Sequence, residues 1–164
     1  VFFSFPGKYP HKKSNNMKIK YLVKSFENLS NKELYRILKL RADVFVVEQQ
    51  CIYQDLDDKD ESSYHLMLLV DDKLAGYTRL LPAGISYPEP SIGRVIIGKP
   101  FRGLKLGRQL MEKSIQACQQ QYHTSTIRIG AQLYLKNFYN SLGFVQEGQQ
   151  YDEDGIPHIQ MVRK

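Results

Sequence analysis

Two apolar periods alternate along this chain, and their order predicts its elements. Residues 19–23 are β-branched and alternating, which predicts a strand. Ser30 followed by Glu33 is a capping-box pattern, and behind it Leu34, Ile37, Leu38 and Arg41 recur at helical spacing. This helix is expected to run on into the apolar stretch before Glu48. Residues 49–63 carry Asp55, Asp57, Asp58, Asp60 and Glu61 and read as a solvated acidic loop, suited to repelling acidic ligands or favouring a cationic amine. Residues 65–70 and 74–81 flank the turn Asp71-Asp72-Lys73 and form a predicted hairpin. Residues 82–90, with Pro82, Gly84, Pro88 and Pro90, form a loop, and 92–97 is a strand interrupted by Gly93. Leu110, Met111, Ser114, Ile115, Cys118 and Tyr122 mark one face of a long helix. A strand at 127–131, a short helix at 133–142 closed by Gly143, and strands at 144–148 and 158–162 complete the chain. The order β-α-β-β-β-α-β-α-β-β predicts an α/β (α+β) fold, a mixed sheet with helices on its faces, and excludes a doubly wound parallel sheet.

Length and composition narrow the class. At 164 residues the chain suits one domain, placed at 17–164 because residues 1–16 read as a tag or disordered extension ahead of a natural start at Met17. No apolar run reaches the roughly 18 residues of a membrane span. The two cysteines, Cys51 and Cys118, read as reduced thiols and hence as a cytoplasmic protein. The formal charge of +6 suggests nucleic acid, but Lys8, Lys12 and Lys13 supply half of it from the extension. The other cations are scattered among acids without an arginine-rich stripe, so no nucleic-acid partner is expected. The acidic loop lacks the glycine and the closing glutamate of a calcium loop, so no metal is expected.

The segment after the 92–97 strand carries the chemistry. Gly98-Lys99-Pro100-Phe101-Arg102-Gly103-Leu104-Lys105-Leu106-Gly107 joins a strand to a helix. A helix start exposes unpaired N–H groups and the positive end of its dipole, a ready site for an anion. Gly103 and Gly107 allow close backbone approach, and Arg102, Lys105 and Arg108 add positive charge. The segment matches neither a P-loop nor G-x-G-x-x-G. From pattern alone, a plain glycine turn remains the alternative.

The segment also resembles the acetyl-CoA motif of the GNAT acetyltransferases, Q/R-x-x-G-x-G/A, with Arg102 and Gly107 at its ends and Lys105 where a middle glycine is expected. Asn137-Phe138-Tyr139-Asn140-Ser141-Leu142-Gly143-Phe144 is similar to the family's late N-F-Y-x-x-x-G-F motif. Residues 40–49 and 154–159 resemble the ElaA-like branch, in which a lysine at the position of Lys105 is common. The resemblance spans roughly residues 17–163.

It implies a twisted, mostly antiparallel sheet of six to seven strands and direct acetyl transfer from acetyl-CoA to a small-molecule or peptide amine, by a monomer or homodimer. The strand at Val95, Ile96 and Ile97 should splay from its neighbour and pair with the pantetheine arm. Backbone amides across Arg102, Gly103, Leu104, Lys105, Leu106, Gly107 and Arg108 should take the pyrophosphate, with Asn137 also on the cofactor side. Tyr139 is the expected general acid. Glu48, at the end of an apolar run that could raise its pKa, is the expected general base. Arg94, His65, His158 and Gln132 are assigned to the acceptor side, with Arg94 expected to pair with Glu48 and the two histidines as weaker base candidates. Cys51 and Cys118 are not expected to act as nucleophiles. Two other readings remain: an acyltransferase with a longer donor, as in the acyl-homoserine-lactone synthases, and a non-catalytic CoA-binding module.

Overall fold

The computed structural model describes residues 17–51, 53–153 and 155–164; the expected extension at 1–16 lies outside them. Seven strands form one sheet: β1 (Ile19–Ser25), β2 (Tyr64–Val70), β3 (Lys73–Leu81), β4 (Ser91–Ile97), β5 (Ile127–Gln132), β6 (Val145–Glu153) and β7 (Ile156–Arg163). Their spatial order is β1-β2-β3-β4-β5-β7-β6. Every neighbouring pair is antiparallel except β4 and β5. The β2–β3 turn works because Asp71 and Asp72 both take positive φ, 48° and 61°, the twist that a two-residue hairpin demands.

Alternation along the strands divides the core in two. Leu66, Leu68 and Val70 pack with Leu110, Met111 and Cys118 of α2 (Leu106–Tyr122). Met67, Tyr77 and Ile96 point to the other face, against Ile37 of α1 (Asn31–Arg41) and Val44. The predicted capping box starts α1: Ser30 Oγ accepts from the Glu33 N–H at 3.2 Å, and the Glu33 carboxylate accepts from the Ser30 N–H at 2.8 Å. A buried hydrogen bond of 2.7 Å between Thr78 and Ser114 pins α2 to β3.

Three features depart from the sequence reading. After Arg41 the helix widens into a π-helical segment, Ala42–Glu48, closed by Gln49 N–H donating to Val44 O at 3.0 Å. The helix expected at 133–142 is a 3₁₀ turn at Leu133–Leu135 followed by the short α3 (Lys136–Asn140), with Gly143 at φ +86° behind it. The last hairpin is longer than predicted. Strand β6 is polar and largely exposed because it pairs on one side only, so its residues lack the alternation of a buried strand.

Candidate active site

The cleft originates in the backbone. Between β4 and β5 only one pair, Ser91 opposite Arg128, is in register, supported by Arg128 N–H donating to Pro90 O at 3.0 Å. Beyond it the strands part. On its other side β4 carries a bulge: Tyr77 faces Ile96 but Arg79 faces Gly93, so Arg94 and Val95 have no registered partner. Arg94 holds φ +52°, a left-handed conformation costing a side-chain-bearing residue about 1–2 kcal/mol. Its guanidinium contacts offset that cost. Arg94 Nε donates to Asp55 Oδ1 at 2.7 Å, and the group lies over Tyr53, 5.3 Å from the ring centre. Unpaired polar backbone therefore faces a cleft of about 490 Å³, within the usual range for a small-molecule site.

The loop beyond β4 rises from a 3₁₀ turn at Lys99–Phe101 into α2. Gly103 at φ +82° and Lys105 at φ +57° both adopt left-handed backbone. Lys105 thus keeps the conformation that a glycine would supply, which reconciles the irregular residue with the motif. Among the described residues no side chain caps α2, so its first amides are left for another acceptor. Gly107 is buried in the first turn, while Leu104, Lys105 and Arg108 are exposed. Arg108 ties the helix start to Ser141, next to α3.

Glu48 departs from expectation in two ways. It does not pair with Arg94; it binds Arg102 through two contacts, one of 2.7 Å, while Arg102 Nε donates to Ile97 O at 3.1 Å. Hydrogen bonds from Arg102 hold the carboxyl below the ordinary carboxylate range, the reverse of the raised pKa expected of a base. The π-helical turn, invisible to periodicity, aims Glu48 at the loop.

Tyr139 lies at the cleft, 4% exposed, its ring 5.1 Å from Phe138 and 6.0 Å from Phe144. Burial pushes its hydroxyl pKa upward, so it stays protonated through the neutral range, and no group among the described residues hydrogen-bonds it. His158 lines the same cleft directly across from Gln132 in the β5–β7 register. Its Nδ1 is 2.8 Å from Ile156 O; a carbonyl only accepts, so the neutral ring carries its proton there and its lone pair on Nε2. His65 is elsewhere. It is fully buried, with Nδ1 2.8 Å from Tyr77 Oη and Nε2 3.0 Å from Asp60 O, and burial lowers its pKa; both ring nitrogens serve the core rather than an acceptor. Asn137 is exposed on α3. Cys118 is buried under α2, where burial pushes the thiol up to about 12. Cys51 lines the cleft with Sγ 3.8 Å from Gln49 O.

The acidic loop is not a solvated surface. Asp55 and Asp60 are each 8% exposed and clasp Arg41, itself fully buried, at 2.9 and 2.7 Å. Asp57 binds Arg79 through both oxygens, at 2.6 and 2.8 Å. Burial alone would raise Asp57, but hydrogen bonds and charge from Arg79, with Arg94 behind it, hold it at about 2. Three arginines and three aspartates thus neutralise one another and fix this wall of the cleft. The signal was present in the sequence: Arg41, Arg79 and Arg94 all sit inside apolar runs, and each had to find an acid.

Comparison with known proteins agrees with this geometry. The acetyltransferase (GNAT) domain family matches residues 28–164. The protein ElaA of Escherichia coli is 43% identical over 138 residues, covering 83% of this chain and 90% of ElaA. The crystal structure of E. coli ElaA superposes with a TM-score of 0.84, covering 90% of this chain and all of that one. An acyl-CoA N-acyltransferase from Pseudomonas aeruginosa superposes at 0.85 with 40% identity and the same coverage. The acyl-homoserine-lactone synthase LasI shares the fold at a TM-score of 0.75 and 16% identity, covering 90% of each chain. No helix among the described residues is long and apolar enough to cross a membrane. With a family match over most of its length and a splayed strand pair, a bulge and a loop that fit it, the chain belongs to the GNAT acetyltransferase family, in its ElaA-like branch.

Proposed function

We propose that the protein transfers an acetyl group from acetyl-CoA directly to a primary amine. The observation that carries this reading is the parting of β4 from β5, with Tyr139 lining the cleft beside it. In this reading the free backbone of residues 95–97 receives the pantetheine arm, and an N–H at the bulge polarises the acetyl carbonyl. Amides of residues 102–108 take the pyrophosphate, with the charges of Lys105 and Arg108 beside them and Asn137 on the same side. The amine nitrogen attacks the carbonyl carbon and the carbon–sulfur bond breaks. His158 Nε2 accepts the proton the amine loses, and Tyr139 donates to the departing sulfur. The thiolate of a thiol with pKa near 8.5 is a weaker base than a buried phenolate, so Tyr139 acts mainly as a hydrogen-bond donor to developing charge. Glu48 then serves to position the loop, because its pairing with Arg102 joins the end of the π-helical turn to the phosphate site.

The test measures the melting temperature with acetyl-CoA, then thiol release with a panel of primary amines, for the wild type and Tyr139→Phe. A rise in melting temperature in both proteins, with turnover in the wild type reduced about tenfold or more in the variant, is expected. Binding without turnover would favour a non-catalytic CoA module. Octanoyl-CoA in parallel separates an acetyl donor from a longer one.

A further inference from the structure

We infer that the acceptor is a zwitterion, an amino acid whose carboxylate is held at Lys59 and whose amine is presented to the face formed by Glu153 and His158. The inference rests on the amine-acetylation reading above and names the substrate class of the same cleft.

The charges lining the cleft divide into those already neutralised and those left over. Asp57, Arg79 and Arg94 belong to the buried network and balance internally. Two remain. Lys59 Nζ donates to Ser86 Oγ at 3.1 Å and has no carboxylate within 4.0 Å among the described residues. Glu153 likewise has no cation within that distance among them.

They come from different elements: Lys59 from the loop before β2, Glu153 from the end of β6. The Lys59 wall is continuous with β3 and β4, since the Lys59 N–H donates at 3.3 Å to Asp57, the carboxylate that Arg79 grips. The same wall carries two buried groups without a partner, Arg79 Nε and Ser91 Oγ. Arg79 is 2% exposed and Ser91 2% exposed, and both line the cleft. Neither atom has surface of its own, so on this wall Lys59 is the charge that can meet a ligand, and it favours one that carries acceptors. The Glu153 wall is the end of the β5–β7–β6 sheet. Gln132 faces His158, His158 faces Tyr151, and Glu153 faces Ile156, so the two-residue strand period puts all five on one face. That face offers a carboxylate to the incoming ammonium, which gives one proton to solvent to become the nucleophilic amine, and the lone pair of His158 to the proton that the amine loses on attack.

This arrangement separates acceptor classes. A diamine would set its second ammonium against Lys59. A neutral alkylamine would leave the Lys59 wall without an acceptor. An amino acid satisfies both walls.

The experiment follows acetyl-CoA-dependent thiol release with glycine, L-lysine and γ-aminobutyrate, each beside its primary amide and its decarboxylated amine. We expect kcat/KM for at least one acid to exceed that of its own amide by about tenfold or more, as a charge-assisted hydrogen bond allows. In Lys59→Met that ratio should collapse to near one; Lys59→Gln, read by the same ratio, replaces it if Lys59→Met does not fold. Amides and amines serving as well as the acids, or a ratio that survives both variants, overturns the inference while amine acetylation stands. Thiol release with none of the compounds overturns amine acetylation and the inference with it.

Discussion

Replacing Asp55 with asparagine should destabilise the protein far more than its place in a polar loop suggests. Asp55 accepts from Arg41 Nε at 2.9 Å, Arg94 Nε at 2.7 Å and the Tyr53 hydroxyl at 3.2 Å. Asparagine keeps the shape but removes the charge, leaving three arginines facing two aspartates. Arg41 has no exposed surface, so water cannot replace the lost partner. Its remaining carboxylate, Asp60 at 2.7 Å, is shared with Arg79 at 3.2 Å. Breaking a buried pair from one side costs about 3–5 kcal/mol. Against a total stability of about 5–15 kcal/mol this is a large fraction. For a chain of this size it lowers the melting temperature by roughly 6–20 °C. Urea unfolding followed by circular dichroism measures it: the midpoint should fall while the slope stays constant. Asp72→Asn, which breaks an exposed pair with Lys20, is the control and should leave the midpoint in place. A loss below about 1 kcal/mol for Asp55→Asn would mean that the network behaves as solvated surface charge, and the buried clasp would have to be abandoned.

Other predictions concern single residues. In His158→Gln, kcat/KM at neutral pH should fall by about 10²–10⁴, read by thiol release. Glu48→Gln should leave kcat nearly unchanged and raise the KM for acetyl-CoA, because Glu48 positions Arg102; a collapse of kcat with KM unchanged would return Glu48 to the role of base. Asp57 is held at about 2 when folded, against 3.8 ordinarily, so its stabilisation is complete above about pH 5 and is lost as pH falls through the folded value. That amounts to about 2 kcal/mol, and Asp57→Asn should flatten this part of an acid-unfolding curve. Gly76→Ala would bring a Cβ to 2.7 Å from Ile97 Cδ1 and 3.0 Å from Ile96 O, and chemical denaturation should show a loss of about 1–3 kcal/mol.

The elements that periodicity could reach were legible, and so was the loop that joins β4 to α2. Ser30 with Glu33, the Asp71-Asp72 turn and the apolar face of α2 all declare themselves within a few residues. That loop is legible for the same reason: a strand end, Gly103, Lys105 and a helix start form a contiguous segment. The π-helical turn at Ala42–Glu48 is not, because its sequence fits an ordinary helix equally well and only the hydrogen-bond shift reveals it. The bulge at Arg94 is hidden likewise, since an arginine at positive φ contradicts local preference and is held by partners about forty residues away.

These two hidden features share a consequence. The π-helical turn redirects Glu48 to Arg102, and the bulge redirects Arg94 to Asp55 and Asp57, so the Glu48–Arg94 pair expected from sequence is replaced by two separate ones. One pair joins the end of the π-helical turn to the loop before α2, and the other fixes the loop that carries Lys59. This side of the cleft is therefore assembled from long-range charge pairing rather than from a contiguous motif. Recognising its residue types was possible from sequence, but deciding which charges cancel, and so which are left for a substrate, required the fold.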